Sequence, residues 1–153
     1  MAASRVCRTV IADDHGIVRD ATRRQLGSIP GVEIVGEADN GVTTIALLKR
    51  LHPDLLVLDI AMPHASGVVV LGEARRWSPL TRIAVLTGVK ASGVLADVVA
   101  SGVAGVMSKG IDSAELRAGF EAIVAGGTYV SGDIAMIIDA ARGLRALTAR
   151  ELQ

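Results

Sequence analysis

Aromatic side chains are almost missing from this chain: Trp, Tyr and Phe occur once each in 153 residues, so a core must be assembled from Val, Ile, Leu and Ala. That palette suits parallel strands covered by helices on both faces. Cysteine is nearly absent too. Cys7 alone rules out an internal disulfide and any multi-thiolate metal site, and its place at the start of an apolar run reads as a small core residue. Neither charge is in surplus, with 16 basic residues against 16 acidic ones, whereas a module that grips nucleic acid by itself carries a basic excess. No stretch reaches the ~18 unbroken apolar residues of a membrane span, and Arg5 and Arg8 interrupt any signal-type segment. These absences predict a cytoplasmic protein with no membrane partner, built as one domain with a short extension.

What is present is a fivefold alternation of short β-rich runs with helical patterns, which predicts βαβ crossovers and a parallel sheet. The predicted strands run Thr9 to Ala12, Glu33 to Ala38, Leu55 to Asp59, Ile83 to Thr87 and Gly105 to Ser108. Pro30-Gly31, Asn40-Gly41, Pro53-Asp54, Pro79 and Gly102 mark the turns between elements. The fifth helix has the clearest stripe, Leu116, Phe120, Ile123 and Val124, and Gly126-Gly127 ends it. Beyond it no further strand is expected. Ser131 is placed to cap one more amphipathic helix carrying Ile134, Ile137, Ile138 and Ala141. Thr148-Ala149-Arg150-Glu151 has capping-box form, which predicts that another helix, the first of a following domain, begins there.

Four of the strand tips carry chemistry. Asp13-Asp14, Asp59, Thr87 and Lys109 each follow an apolar run, and in a doubly wound sheet ligands bind outside the carboxyl ends of the strands. Acids at such places often cap the next helix, and a lone Thr or Lys there is often a solvated loop residue. Caps do not account for the joint pattern. Three carboxylates brought together repel unless a proton or a cation intervenes, and Mg²⁺, a hard ion held by carboxylates and phosphate oxygens, is the expected cofactor, with Mn²⁺ able to substitute. The Lys109 ammonium and the Thr87 hydroxyl would then meet a phosphoryl group that Asp59 attacks in line, giving an aspartyl phosphate.

From residue 5 to 127 the chain resembles the receiver domains of two-component response regulators. The resemblance rests on Ile11-Ala12-Asp13-Asp14-His15, on Asp59-Ile60-Ala61-Met62-Pro63 with Gly67, on Val85-Leu86-Thr87-Gly88, and on Lys109 with Glu115-Leu116. It implies a flavodoxin-like five-stranded sheet of order 2-1-3-4-5, a histidine kinase that supplies the phosphoryl group, and Mg²⁺ held by Asp14, Asp59 and the Ala61 backbone carbonyl. Asp13 would support the metal largely through water. His15, His52-Pro53-Asp54 and Gly126-Gly127-Thr128-Tyr129-Val130-Ser131 look like the LuxR/FixJ/NarL class, and Leu147 to Glu151 looks like the opening of its helix-turn-helix domain. The implied division is a receiver over 5–127, a linker with a helix over 128–146, and the start of a truncated DNA-binding domain over 147–153. DNA would be contacted only by that missing domain, working as a dimer. His15 and His52 are read as loop or capping residues rather than ligands.

Three departures sharpen the reading. The family usually places Tyr or Phe three residues before the lysine, where this chain has Val106; an aromatic swing is therefore not expected, and any signal would travel through a smaller repacking of the fourth helix and fifth strand, the plainer alternative being that Val106 fills an edge strand. Ala61 and Val89, two past Asp59 and Thr87, offer nothing to orient a water, so slow hydrolysis of an aspartyl phosphate is expected. The fourth helix carries Val94, Leu95, Val98 and Val99 in a weakly charged region, and these, or Ile134, Ile137 and Ile138, are expected to meet a second subunit or the output domain. Two alternatives stand beside the transcription-regulator reading: a free-standing receiver, and an aspartate-based phosphohydrolase. The second needs an acid two residues after Asp59, where Ala61 stands.

Overall fold

A computed structural model describes residues 5–151, with side chains described as far as Leu144. The order of elements is β1 (Cys7–Ala12), α1 (Gly16–Gly27), β2 (Val32–Ala38), α2 (Gly41–Leu51), β3 (Leu55–Leu58), α3 (Gly67–Trp77), β4 (Arg82–Thr87), α4 (Ser92–Ala100), β5 (Gly105–Ser108), α5 (Ser113–Val124), β6 (Tyr129–Val130) and α6 (Gly132–Glu151). All strand pairs are parallel, in the order β2-β1-β3-β4-β5-β6. The doubly wound α/β expectation therefore holds, and its five strands keep the order 2-1-3-4-5.

The sheet is nevertheless six-stranded. β6 is only two residues long, too short for any periodicity to register, yet it closes the outer edge of β5: Tyr129 N–H donates to Ala104 O at 3.0 Å and Ser131 N–H to Val106 O at 3.0 Å. The chain reaches that edge because α5 stops at a left-handed glycine. Gly126 has φ of 100°, and Gly127 N–H returns to Ala122 O at 2.8 Å, a turn that a residue with a Cβ adopts only under strain.

Residues alternate across the strands and build two cores. Val10, Leu56, Leu58, Val85 and Val106 face the layer that includes α2, α3, α4 and α6, while Ile11, Val57, Ala84, Leu86 and Met107 face α1 and α5, where Phe120 and Ile123 are buried. With both faces covered, β3 reads as an unbroken apolar run. Local chemistry starts the helices: Asn40, Ser66 and Asp112 accept from the amides of Thr43, Val69 and Glu115 respectively. His52 closes α2 in a left-handed conformation with φ of 44°, a capping role as expected.

Two expectations fail here. Leu95 and Val98 of α4 are buried, as are Ile134 and Ile138 of α6; both pairs belong to one core, with Ile137 and Val99 packed at its margin. They cover one another within the chain, so they do not form a free interface; only Val94, 42% exposed, faces outward. The apolar stripe was the same signal for an internal helix contact and an external one. The second failure concerns α6, which runs without a break from Gly132 to Glu151. Thr148 thus lies inside a helix instead of opening one, and the helix expected within the 128–146 linker continues past it. The side chains of the capping-box residues lie outside those described.

Candidate functional site

The winding reverses between β1 and β3, and the site lies at the carboxyl ends of these two strands. β1 delivers Asp13, whose N–H donates to Ala38 O of β2 at 3.0 Å, and β3 delivers Asp59, whose N–H donates to Ala12 O at 2.9 Å. Each carboxylate is fixed on a paired backbone at a strand tip. Both are almost fully buried, at 3% and 2% exposure. Asp14, one residue farther along the loop, is exposed.

Lys109 follows β5 and reaches back across β4, with its N–H donating to Thr87 O at 3.0 Å. Its Nζ sits 2.9 Å from Asp59 Oδ2 and 3.0 Å from Asp13 Oδ2. Burial alone would lower the pKa of this ammonium, but hydrogen bonds and charge from Asp59 and Asp13 outweigh burial and raise it above the ordinary lysine value. The remaining oxygen of Asp59, Oδ1, accepts from Ala61 N–H at 3.0 Å, and Asp13 Oδ1 accepts from His15 N–H at 2.9 Å.

The loop after Asp59 is held by close packing. A Cβ on Gly67 would lie 2.6 Å from Ile60 Cα, and Gly67 N–H donates to Ile60 O at 3.2 Å, so the start of α3 is pressed against the loop with no room for a side chain. Gly41 of α2 meets Ala65 in the same loop equally tightly.

Asp13, Asp59 and Lys109 thus form one bonded group. Thr87 is buried at the tip of β4 with its hydroxyl accepting from Val89 N–H at 3.1 Å; it lines the same edge without bonding the carboxylates. Val106 is fully buried, paired between Val85 and Val130, so it is an interior residue and not the edge-strand filler expected from the sequence. A valine there belongs to the core shared by α4 and α6.

His15 is a loop and capping residue as expected, its carbonyl accepting from Arg19 N–H at 2.9 Å, but its ring turns toward the acidic pair. It stands at the N-cap position of α1 without a side-chain cap bond, and its Nδ1 lies 3.2 Å from Asp14 Oδ1 and 3.4 Å from Asp13 Oδ1. Its position directly after the acidic pair was the available signal. Ligand atoms of Asp13, Asp14, His15 and Asp59 all lie within 4.8 Å of one another. Such a set of mostly carboxylate oxygens fits a hard divalent cation.

A second polar group borders the site. Ser108 Oγ accepts from Lys90 Nζ and Gly110 N–H, both at 3.1 Å, while Ser131 Oγ accepts from Ser108 N–H at 3.2 Å and donates to Asp133 Oδ1 at 2.7 Å. Burial tends to raise the Asp133 carboxyl, but the Ser131, Ser108 and Ile134 hydrogen bonds and the nearby Lys90 charge prevail and lower it.

Residues 9–121 match the response regulator receiver domain family. The chain belongs to that family. Its members are signalling switches and, as a family, phosphoacceptors that typically bind Mg²⁺ in an acidic pocket. This receiver is 30% identical over 128 residues to the response regulator GacA of Pseudomonas viridiflava, and 30% identical over 126 residues to UvrY of Escherichia coli. Those alignments cover 84% and 82% of the chain but 60% and 58% of the relatives, so the chain spans well under two thirds of their length. Among solved structures, a LuxR-family response regulator from Aurantimonas is 33% identical with a TM-score of 0.81, covering 90% of this chain and 98% of that one. The isolated receiver domain of RcsB from Salmonella enterica, determined with the phosphomimetic BeF3⁻, is 26% identical with a TM-score of 0.81, covering 88% of this chain and 99% of that one. Among the described residues, no helix is long and apolar enough to cross a membrane.

Proposed function

We propose that Asp59 is the phosphoryl acceptor of a transcription regulator, charged by a cognate histidine kinase in the cytoplasm. The observation that carries this reading is the Lys109 ammonium, 2.9 Å from Asp59 and 3.0 Å from Asp13, beside an acidic cluster. Asp59 Oδ would attack the phosphorus of a phosphohistidine; the new O–P bond forms as the P–N bond breaks, and the leaving imidazole nitrogen takes up a proton. Lys109 would pair a phosphoryl oxygen and exchange part of its bond to Asp59 for that contact. Thr87, freed from the Val89 amide, would donate its hydroxyl to another. Asp13, Asp14 and Asp59, with the Ala61 backbone carbonyl, would hold Mg²⁺, which neutralises charge gathering on the transferred group.

Output is proposed to run through a DNA-binding domain of helix-turn-helix type following α6, with the receiver contributing to a homodimer. RcsB, which this chain resembles, has been determined bound to DNA, and as two dimers on two parallel DNAs. The face left for a partner is smaller than the sequence suggested, because Leu95, Val98, Ile134 and Ile138 are covered within the chain.

The test is incubation with Mg²⁺ and acetyl phosphate followed by intact mass. Wild type should gain one phosphoryl group, and Asp59→Ala should gain none. An unchanged wild-type mass, or an equal gain in the variant, overturns the assignment.

A further inference from the structure

The acidic cluster contains one donor that is not an oxygen. His15 Nδ1 lies 3.2 Å from Asp14 Oδ1, 3.4 Å from Asp13 Oδ1 and 3.4 Å from Lys109 Nζ. A carboxylate can only accept and an ammonium can only donate, so this nitrogen faces neighbours that ask for opposite roles. A proton on Nδ1 suits the acids and opposes the lysine; a lone pair does the reverse. One divalent cation among these groups takes the lone pairs of the carboxylates and of the imidazole together, and removes the conflict.

Only these contacts at the acidic cluster hold the ring. At the N-terminus of α1 a side chain normally accepts from a backbone amide, but the His15 side chain makes no such bond. It is 66% exposed, so core packing does not hold it either. We propose that His15 is a further ligand of the cation site, beside Asp13, Asp14, Asp59 and the Ala61 carbonyl, and biases it from Mg²⁺ toward a first-row transition ion in the range Co²⁺ to Zn²⁺, an inference that rests on the cation-site reading given above. Carboxylates and carbonyls suit Mg²⁺ and Mn²⁺, whereas imidazole adds affinity chiefly for the later ions. The chain has two further histidines, His52 and His64, and both lie outside the cluster.

The measurement is metal binding by the full chain, independent of phosphorylation. Wild type, His15→Ala and Asp14→Asn are titrated with MgCl₂ and with CoCl₂ at about pH 8, where an ordinary imidazole is neutral, reading heat and, for Co²⁺, the visible d–d spectrum. His15→Ala removes no cap bond, so the fold should persist, and circular dichroism checks it. The expected result is Co²⁺ binding weakened about tenfold or more, with Mg²⁺ affinity moved by less than about twofold, and a changed d–d band. Asp14→Asn should weaken both ions, which separates this site from Co²⁺ held at His52 or His64. Equal loss of both ions in His15→Ala, no loss of either, or a wild type that binds neither ion overturns the inference. A clear Co²⁺/Mg²⁺ split in a protein that takes no phosphoryl group would leave His15 standing and remove the Asp59 reading; phosphorylation without a split would do the opposite.

Discussion

The acidic edge at the tips of β1 and β3 and the hydroxyl-lined flank where β5, β6 and α6 meet handle buried polar groups in opposite ways. At the edge, the Asp13 and Asp59 carboxylates share the single ammonium of Lys109, with Asp14 close by. Negative charge exceeds positive charge where two of the three carboxylates are buried, an arrangement that costs stability and that a further cation would relieve. On the flank, Ser108 and Ser131 are equally buried, but each donor there meets an acceptor and Asp133 is answered by Ser131, the Ile134 amide and Lys90. A closed network of this kind positions elements and asks for nothing more. Polar burial by itself therefore does not mark function in this receiver; imbalance of charge does.

The largest effect that would test the contrast is expected at Lys109. Lys109→Met leaves Asp13 and Asp59 without their shared partner and takes away a cation aimed at the transferred group. The rate of mass gain from acetyl phosphate should fall on the order of 100-fold, the scale of losing one preorganised electrostatic contact; a rate within threefold of wild type would show that the ammonium is structural. On the flank the expected effect is on stability alone. Ile134→Ala empties a fully buried site between α6 and α4 and should cost about 3 kcal/mol in urea unfolding. Its phosphoryl uptake should stay within about twofold of wild type, and a parallel loss of uptake would merge the two regions into one unit.

The acidic edge was legible in the sequence because its residues sit at fixed places after apolar runs, and strand tips are the one feature that a βαβ pattern positions without side-chain detail. Asp13, Asp59 and Lys109 meet as expected for that reason. The flank was not legible. β6 is held by pairing with β5 rather than by any pattern of its own; only the β-prone Tyr129-Val130 pair between glycines hinted at it. The stripes of α4 and α6 announced burial without naming the partner, so Leu95, Val98, Ile134 and Ile138 were assigned to a second subunit or the output domain when they belong to one core within the chain. Thr148 and Glu151 have capping-box spacing, yet both belong to α6. His15 was read as a loop or capping residue and stands at the N-cap of α1, but spacing along the chain does not report which way its ring turns.

A smaller effect probes the edge from its solvent side. Ala61 is exposed two residues past Asp59 and presents only a methyl group. Ala61→Asn supplies an amide able to orient water, and the phosphoryl group should be lost several-fold faster once acetyl phosphate is removed, followed by intact mass over time. An unchanged lifetime would mean that access of water is set by something other than this side chain.

The smallest expected effect belongs to Asp133, and pH separates it from the rest. Its folded pKa is lowered, so its stabilising contribution is present above the unfolded value, about 3.9, and is lost as pH falls through the folded value. Asp133 is partly open to solvent, and screening limits the benefit to under about 1 kcal/mol. Asp133→Asn should therefore be slightly less stable than wild type at neutral pH, with the gap closing below about pH 4, while its phosphoryl uptake stays at the wild-type level. A gap that persists in acid would assign the effect to the geometry of the hydrogen bonds from Ser131 and the Ile134 amide, which an asparagine oxygen accepts less strongly, and not to charge. Either result tells whether the network of Ser108, Ser131 and Asp133 depends on the Asp133 charge or only on its hydroxyls, and so whether charge matters on this flank as it does at the tips of β1 and β3.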